Sequence, residues 1–261
     1  MSIRFENVTK AFGGGKKVIL RDVSFEVATG EILFVLGKSG MGKSVTLKHI
    51  VGVMKPDKGR VWVDNKDVTA MSDEQLADIR RRCGMVFQHP ALLDSLSVMN
   101  NVAFGLRTPQ FTSTLPRPLT EAEIRARVIE KLSLVNLSAD VIDRMPSEIS
   151  YGMQKRVSMA RTLAPEPTYL LFDEPTTGLD PITTNAVNDL IFQLSRKLKV
   201  TSVVVSHDMQ CALKIADRIL VLDQGGILAL QTVSEIKRSQ EPLIRDFLSE
   251  TLALLPPEER V

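Results

Sequence analysis

Ile32-Leu33-Phe34-Val35-Leu36-Gly37-Lys38-Ser39-Gly40-Met41-Gly42-Lys43-Ser44 is the stretch on which the reading of the chain turns. Five consecutive apolar residues without alternation are the pattern of a strand covered on both faces, as in parallel sheets. The run stops at Gly37, and Lys43–Val51 has helix-forming composition and period. Strand, glycine loop and helix therefore frame G-x-x-x-x-G-K-[ST] at residues 37–44. Gly37, Gly40 and Gly42 let the backbone curl, so that the N–H groups along the loop, Ser39 included, turn inward towards phosphate oxygens, and the helix N-terminus adds its positive end. Lys43 is predicted to reach the β and γ phosphates of ATP, and the Ser44 hydroxyl to ligate Mg²⁺. With no ligand, the same residues would be a glycine-rich turn.

On the N-terminal side, Ile3–Val8 and Val23–Val27 alternate apolar and polar residues around Gly13-Gly14-Gly15, which predicts an antiparallel β layer. On the C-terminal side, Tyr169–Phe172, Ser202–Val205 and Ile219–Leu222 are short apolar runs separated by helical patterns at Pro181–Lys197 and Gln210–Ala216. That alternation predicts a doubly wound α/β core. Between the two lies different text: a charged helix at Asp73–Arg82 with Ser72 as cap, a strand at Met85–Phe87, a loop punctuated by Pro109, Pro116 and Pro118, and helices at Glu121–Val135 and Ala139–Arg144. This stretch is expected to form a helical subdomain inserted in the core. Pro242 opens a last helix with Leu243, Ile244, Phe247 and Leu248 on one side, and a polar tail begins at Pro256. Trp62, alternating with Val61 and Val63, reads as a strand residue without a site role.

Tyr169-Leu170-Leu171-Phe172-Asp173-Glu174 places two carboxylates at the carboxyl end of an apolar strand, the edge where open α/β sheets bind ligands. Their chemistry divides the work. Asp173 can hold Mg²⁺, generally through water, and Glu174 can take the proton of the water that attacks the γ phosphate. Alone the pair could simply be solvated; with the glycine loop it points to a P-loop NTPase.

Ser150-Tyr151-Gly152-Met153-Gln154 precedes a helical stretch, Lys155–Leu163, and lies shortly before the strand that ends in Asp173. It resembles the ABC signature Leu-Ser-Gly-Gly-Gln: Ser150 and Gly152 match, Ile149 leads, and Tyr151 and Met153 replace a glycine and the glutamine. Gln88 follows the strand 85–87, Gly178-Leu179-Asp180 follows Glu174, and His207 follows Ser202–Val205, all in the family's order. From Phe12 to about Gln231 the chain resembles ABC transporter ATPases.

The resemblance implies a P-loop NTPase core of the ABC ATPase type: residues 1–236 as the ATPase domain, with a helical subdomain at about 88–165, and 237–261 as a C-terminal helix and tail. It implies an ATPase that works as a head-to-tail homodimer, each ATP pinned between the glycine loop of one copy and Ser150 and Gly152 of the other. Gln88 would contact Mg²⁺ and the attacking water beside an integral-membrane permease. His207 would contact the γ phosphate, Asp180 would couple the two sites, and Phe12 would stack on adenine. Taken singly, His207 could be a capping residue, Asp180 a turn residue and Phe12 a core residue. Tyr151 stands where family backbone approaches the γ phosphate, so its side chain must point away or crowd the partner; the expectation is intact ATP binding with slower hydrolysis than a glycine would give.

Phe87-Gln88, Ala91-Leu92-Leu93-Asp94-Ser95-Leu96-Ser97-Val98, Asn101-Val102-Ala103-Phe104 and Gly178-Leu179-Asp180-Pro181-Ile182 resemble one branch, the ATPases of Mla-type and Mce-associated lipid transport. That branch implies phospholipid as cargo, a Mce-type lipid-binding protein as a further partner, and a last helix that holds another subunit or a small regulatory subunit; the helix could equally pack on its own domain. The alternative is the ATPase of an importer for amino acids, metals or another small solute. A translation or repair ATPase of the same superfamily would usually need a second ATPase domain or a long coiled coil, and no heptads are seen. A regulator that binds nucleotide without turnover is disfavoured by Glu174 and His207.

Charge and composition agree with this reading. Lys and Arg number 33 against 31 Asp and Glu, spread along the chain, which argues against a nucleic-acid surface. Cys83 and Cys211 are the only cysteines, too few and too far apart for a disulfide framework or a zinc site. No apolar run approaches the roughly 18 residues of a membrane span, so the expected location is cytoplasmic, peripheral on the inner face of the cytoplasmic membrane.

Overall fold

The computed structural model describes residues 2–254, with side chains described to residue 251. The alternating N-terminal segments form β1 (Ile3–Phe12) and β2 (Lys17–Val27), paired antiparallel and joined through the three glycines, which all have positive φ. With β4 (Lys58–Val63) and β5 (Lys66–Asp67) they make a four-stranded sheet in the order β2-β1-β4-β5. Trp62 sits on β4 and donates its indole N–H to Glu6 at 2.8 Å.

The second sheet has six strands in the order β10-β9-β3-β8-β7-β6, from β3 (Ile32–Leu36), β6 (Cys83–Val86), β7 (Tyr169–Asp173), β8 (Thr201–Ser206), β9 (Arg218–Asp223) and β10 (Gly226–Thr232). All its neighbours run parallel except the β9–β10 hairpin. The unbroken apolar run of β3 has its cause here. Ile32, Phe34 and Leu36 enter one core and Leu33 and Val35 the other, all without accessible surface.

Helices α1 (Lys43–Ile50) and α2 (Asp73–Arg82) bury Leu47, Ile50, Leu76 and Ile79 between this sheet and the antiparallel layer. Ser72 caps α2 in a capping box with Gln75. On the opposite face, α3 (Val98–Ala103), the short α4 (Pro109–Thr112), α5 (Glu121–Leu134) and α6 (Tyr151–Leu163) form the helical subdomain. Helices α7 (Pro181–Leu198), α8 (Met209–Ile215), α9 (Val233–Lys237) and α10 (Pro242–Leu254) complete that layer. Ile244, Phe247 and Leu248 of α10 bury into the same core as α7 and α8, so this helix lies on its own chain. The tail from Pro256 lies outside the described residues.

Two expectations are corrected. The strand expected at Met85–Phe87 is Cys83–Val86; Phe87 lies beyond its end and is exposed, because the pairing partner Tyr169–Phe172 fixes the register at Cys83–Val86. The helix expected over Ala139–Arg144 is a single 3₁₀ turn at Ala139–Val141. The N–H groups of Ile142 and Arg144 bond carbonyls three residues back, those of Ala139 and Val141, rather than four, while their own carbonyls accept from the N–H groups of Met99 and Val98 at the start of α3, each at 2.8 Å. Both cysteines are free and buried; burial raises the Cys83 thiol to about 12 and moves the Cys211 thiol upward as well.

Candidate nucleotide site

Residues from both sheets meet at the carboxyl ends of β3, β7 and β8. The loop after β3 turns into α1 through Gly42, whose φ is 97°; a Cβ there would stand 2.6 Å from Leu20 Cδ2 and 3.0 Å from the Ile19 carbonyl. Only glycine satisfies both the dihedral and the close approach of β2. The Lys43 side chain folds back over the loop, donating to the Gly37 carbonyl at 2.6 Å and the Lys38 carbonyl at 3.3 Å, with its ammonium 3.3 Å from Glu174 Oε1. Ser44 Oγ donates to Asp173 Oδ1 at 2.7 Å.

Glu174 has a φ of 48°, a left-handed conformation that side chains with a Cβ seldom adopt. Its N–H still bonds the Val205 carbonyl at 2.9 Å, so the strand register runs one residue past the end of β7 while the side chain turns out over the sheet edge. There Oε1 faces Lys43, and Oε2 accepts from His207 Nδ1 at 2.9 Å and from the Thr177 hydroxyl at 3.4 Å. His207, just past the end of β8, is largely exposed, whereas Glu174 is mostly covered.

One cavity of about 860 Å³ joins Phe12, Ser39, Gly40, Lys43, Gln88 and Glu174. Gly42, Ser44 and His207 line it too. Phe12, at the end of β1, is 39 % exposed with the Lys10 ammonium 5.8 Å from its ring centroid, an aromatic face open to solvent rather than a core residue. Gly37 sits at the base of the loop.

Ser150, Gly152 and Asp180 stand apart from these walls. Ser150 caps α6, accepting from the Met153 N–H at 3.3 Å, and is exposed. Asp180 caps α7, and bonds from the Thr183 hydroxyl and N–H hold its carboxyl below the usual range. Gly152 packs beside α7, where a Cβ would meet Thr183 Cγ2 at 3.0 Å. The first turn of α6 and the segment before α7 thus share one exposed face, off the glycine loop.

The residues fit a magnesium nucleotide. A curled backbone at a helix N-terminus and a covered ammonium suit phosphates. A hydroxyl and a carboxylate within 2.7 Å of each other are hard oxygen donors of the kind Mg²⁺ takes when phosphates and water complete its shell. Among the described residues no cluster of three or more His, Cys, Asp or Glu forms an all-protein cage.

The family model described as "ABC transporter" matches residues 20–177, well over half of the chain. The chain belongs to the ABC transporter ATP-binding family. ATP hydrolysis is the family's reaction, and ATP with Mg²⁺ is what this ABC ATPase uses. It is 38 % identical over 98 % of its length to the methionine import ATP-binding protein MetN of Carboxydothermus hydrogenoformans, covering 74 % of that protein. To MetN of Bradyrhizobium diazoefficiens it is 39 % identical over 96 % of its length, covering 71 % of that protein. Among solved structures, a dimeric ATP-binding cassette in a post-hydrolysis state with ADP and Pi superposes with TM-score 0.79 at 32 % identity, covering 88 % of this chain and 98 % of that one. The cbiO1 subunit of Clostridium perfringens, part of the ABC transporter complex cbiONQ, gives TM-score 0.81 at 27 % identity, covering 97 % and 95 %. The two MetN relatives are named for import, which favours the importer alternative and gives no support to the Mla-type branch or a Mce-type partner.

Sequence reasoning missed Thr177, whose hydroxyl reaches Glu174, and Phe247 and Glu250 of α10, which reach the cavity wall from far beyond Glu174 in the sequence. It also missed Lys155, counted only as part of a helix. No short-range pattern marks such residues, since only the packing of distant elements brings them to the site. Among the described residues no helix is long and apolar enough to cross a membrane.

Proposed function

We propose that the chain is the ATP-hydrolysing subunit of a small-solute importer, with an amino acid such as methionine as the cargo class. The observation that carries it is the poised set at one sheet edge: Lys43 and His207 on either side of Glu174, with Ser44 beside Asp173, in a chain that matches, over nearly its own whole length, proteins named as methionine import ATP-binding proteins.

In this reading the loop N–H groups and Lys43 bind the phosphates, Ser44 and Asp173 hold Mg²⁺, and Phe12 stacks on the base. Glu174 takes a proton from the attacking water, while His207 and Gln88 orient the γ phosphate and that water. The Mg²⁺ that Ser44 and Asp173 would hold would supply neutralisation of charge on the phosphate oxygens. Ser150 and Gly152 serve the nucleotide of a second copy, Asp180 lies between the two sites, and a permease docks beside the Gln88 loop at the inner face of the membrane. The exposure of Ser150 and Asp180 away from their own glycine loop supports the head-to-tail arrangement, since they have no nucleotide to serve within one copy. Residues 1–236 are taken as the ATPase domain, with the helical subdomain at about 88–165, and 237–261 as the appended helix and tail; the burial of α10 on α7 and α8 supports an appendage that stays with its own chain.

The lipid reading keeps one observation in its favour, the stretch Ala91–Val98 with its Mla-like order of residues. Purification of the complex with its native permease, followed by identification of bound cargo and by ATPase assays with methionine and with phospholipid vesicles, separates the two. Stimulation by an amino acid supports the importer; co-purified phospholipid and stimulation by vesicles alone would overturn it.

A further inference from the structure

Lys155 has no accessible surface, and among the described residues no carboxylate lies within ion-pair range of it. Its ammonium instead donates to two main-chain carbonyls, that of Gln88 and, at 3.0 Å, that of Pro175, with the Tyr151 ring centroid 5.6 Å away. Burying a lysine on carbonyls alone is costly, and a site that needed only volume would be served better by methionine. Burial lowers this ammonium to about 8.

The two carbonyls explain the charge. Gln88 lies two residues past the end of β6 and Pro175 two residues past the end of β7, and these strands are parallel neighbours paired at Val86 and Phe172. Beyond the last pair no ladder bond fixes how far apart the two loops stand. Lys155 spans that gap from α6, the helix capped by Ser150.

The geometry points to Lys155 as a positioning residue for hydrolysis: it fastens the Gln88 loop and the turn after Glu174 to the helix headed by Ser150, so that one buried ammonium carries the state of the signature face to the groups that handle the attacking water. The inference rests on the roles proposed above for Gln88, Glu174 and Ser150. Lys155 touches none of the reacting atoms. A shift of α6 when Ser150 meets a second copy's nucleotide is passed through Lys155 to both loops, which links the two ATP sites of a dimer.

The test uses the full chain assembled with its permease, and compares wild type with Lys155→Met, which keeps volume and loses every donor, and Lys155→Gln, one bond shorter, which keeps a donor for one carbonyl. ATP turnover per bound nucleotide, KM for ATP and the Hill coefficient are measured. The expected order of kcat is wild type, then Gln, then Met, with Met reduced about tenfold or more, KM within about twofold, and the Hill coefficient falling towards one. Turnover and cooperativity equal to wild type in Lys155→Met overturn the inference, as does a loss in which KM rises in step with kcat falling. If Lys155→Met does not fold, Lys155→Gln decides alone: reduced kcat with unchanged KM supports the clamp, and wild-type kcat and cooperativity overturn it. A wild type that binds no Mg-ATP defeats the underlying reading; a wild type that turns over ATP beside an unaffected variant defeats only this one.

Discussion

Glu174 and His207 face each other across the mouth of the phosphate loop, with Oε2 of the carboxylate 2.9 Å from Nδ1 of the ring while Oε1 lies 3.3 Å from the Lys43 ammonium. The left-handed backbone at Glu174 holds the carboxyl between two cationic or donor groups, and such strain persists only where the surroundings enforce it. The arrangement holds the carboxylate where the base proposed for the reaction would stand.

Glu174→Gln keeps the shape and removes the basicity. Turnover should fall by about 10²- to 10⁴-fold, the range for loss of a positioned general base, while ATP affinity stays close to wild type. Phosphate release and equilibrium nucleotide binding on the same preparation check this; unchanged turnover would count against Glu174 as the base.

Gly42→Ala tests the cradle. The new methyl group meets Leu20 Cδ2 and the Ile19 carbonyl, and alanine resists a φ of 97° even where a side chain could move. Stability should drop by about 1–3 kcal/mol, and Mg-ATP binding should weaken beyond what the folded fraction explains. Thermal melts with and without Mg-ATP separate the two effects, because a ligand that binds only the native state raises the melting temperature by an amount that grows with the logarithm of its concentration over Kd.

That the glycine loop, Asp173 and Glu174 lie together at one sheet edge was legible because each is a short-range pattern at the end of an apolar strand. The limit of β3 was legible because its apolar run ends in glycine, at Gly37. Residues 139–144 were not: local composition favours a helix, but the segment closes three-residue turns, and its end is held by the N–H groups of Val98 and Met99, far away in the sequence. The end of β6 failed for a similar reason, since Phe87 is apolar yet the ladder with β7 ends one residue earlier, at Val86 and Phe172. Lys155 was invisible because its partners are main-chain carbonyls 67 and 20 residues away. The lipid branch was read from a few surface stretches, whereas identity along the whole chain leads to importers.

Tyr151 leans back on its own chain. Its hydroxyl is 3.3 Å from His89 Nδ1, and its Cε1 is 3.6 Å from where a Gly178 Cβ would stand, so the ring fills the groove between the Gln88 loop and the segment leading to Asp180. Tyr151→Gly opens that groove to a second copy. Hydrolysis should run faster and ATP binding to one copy should be unchanged, at a cost of about 1 kcal/mol in helix stability. Turnover equal to or below that of the wild type, at matched folded fraction, contradicts the idea.

His49 gives the chain an acid-sensitive limb of stability. The ring is 1 % exposed on α1, and its Nδ1 lies 2.7 Å from the Val45 carbonyl, which makes Nδ1 the protonated nitrogen of the neutral form. Nε2 has no partner, and the Phe5 ring packs edge-on at 6.5 Å. Burial, with a smaller contribution from Lys10, holds the imidazole below its ordinary value, against opposing effects of Val45 and Asp57. The unfolded chain therefore takes up a proton near pH 6.5 that the folded chain refuses until lower pH. Stability follows the difference in bound protons, so it is fully present above the unfolded value and falls as the pH drops below it towards the folded value. His49→Leu removes the titration, and urea unfolding at pH 7.5, 6.5 and 5.5 should show a shallower decline for the variant than for the wild type. Parallel declines would mean that other groups set the limb. Because α1 opens on the glycine loop, the same acid step should loosen nucleotide binding in the wild type before the whole chain unfolds, read as a rise in the apparent Kd for Mg-ATP that His49→Leu suppresses.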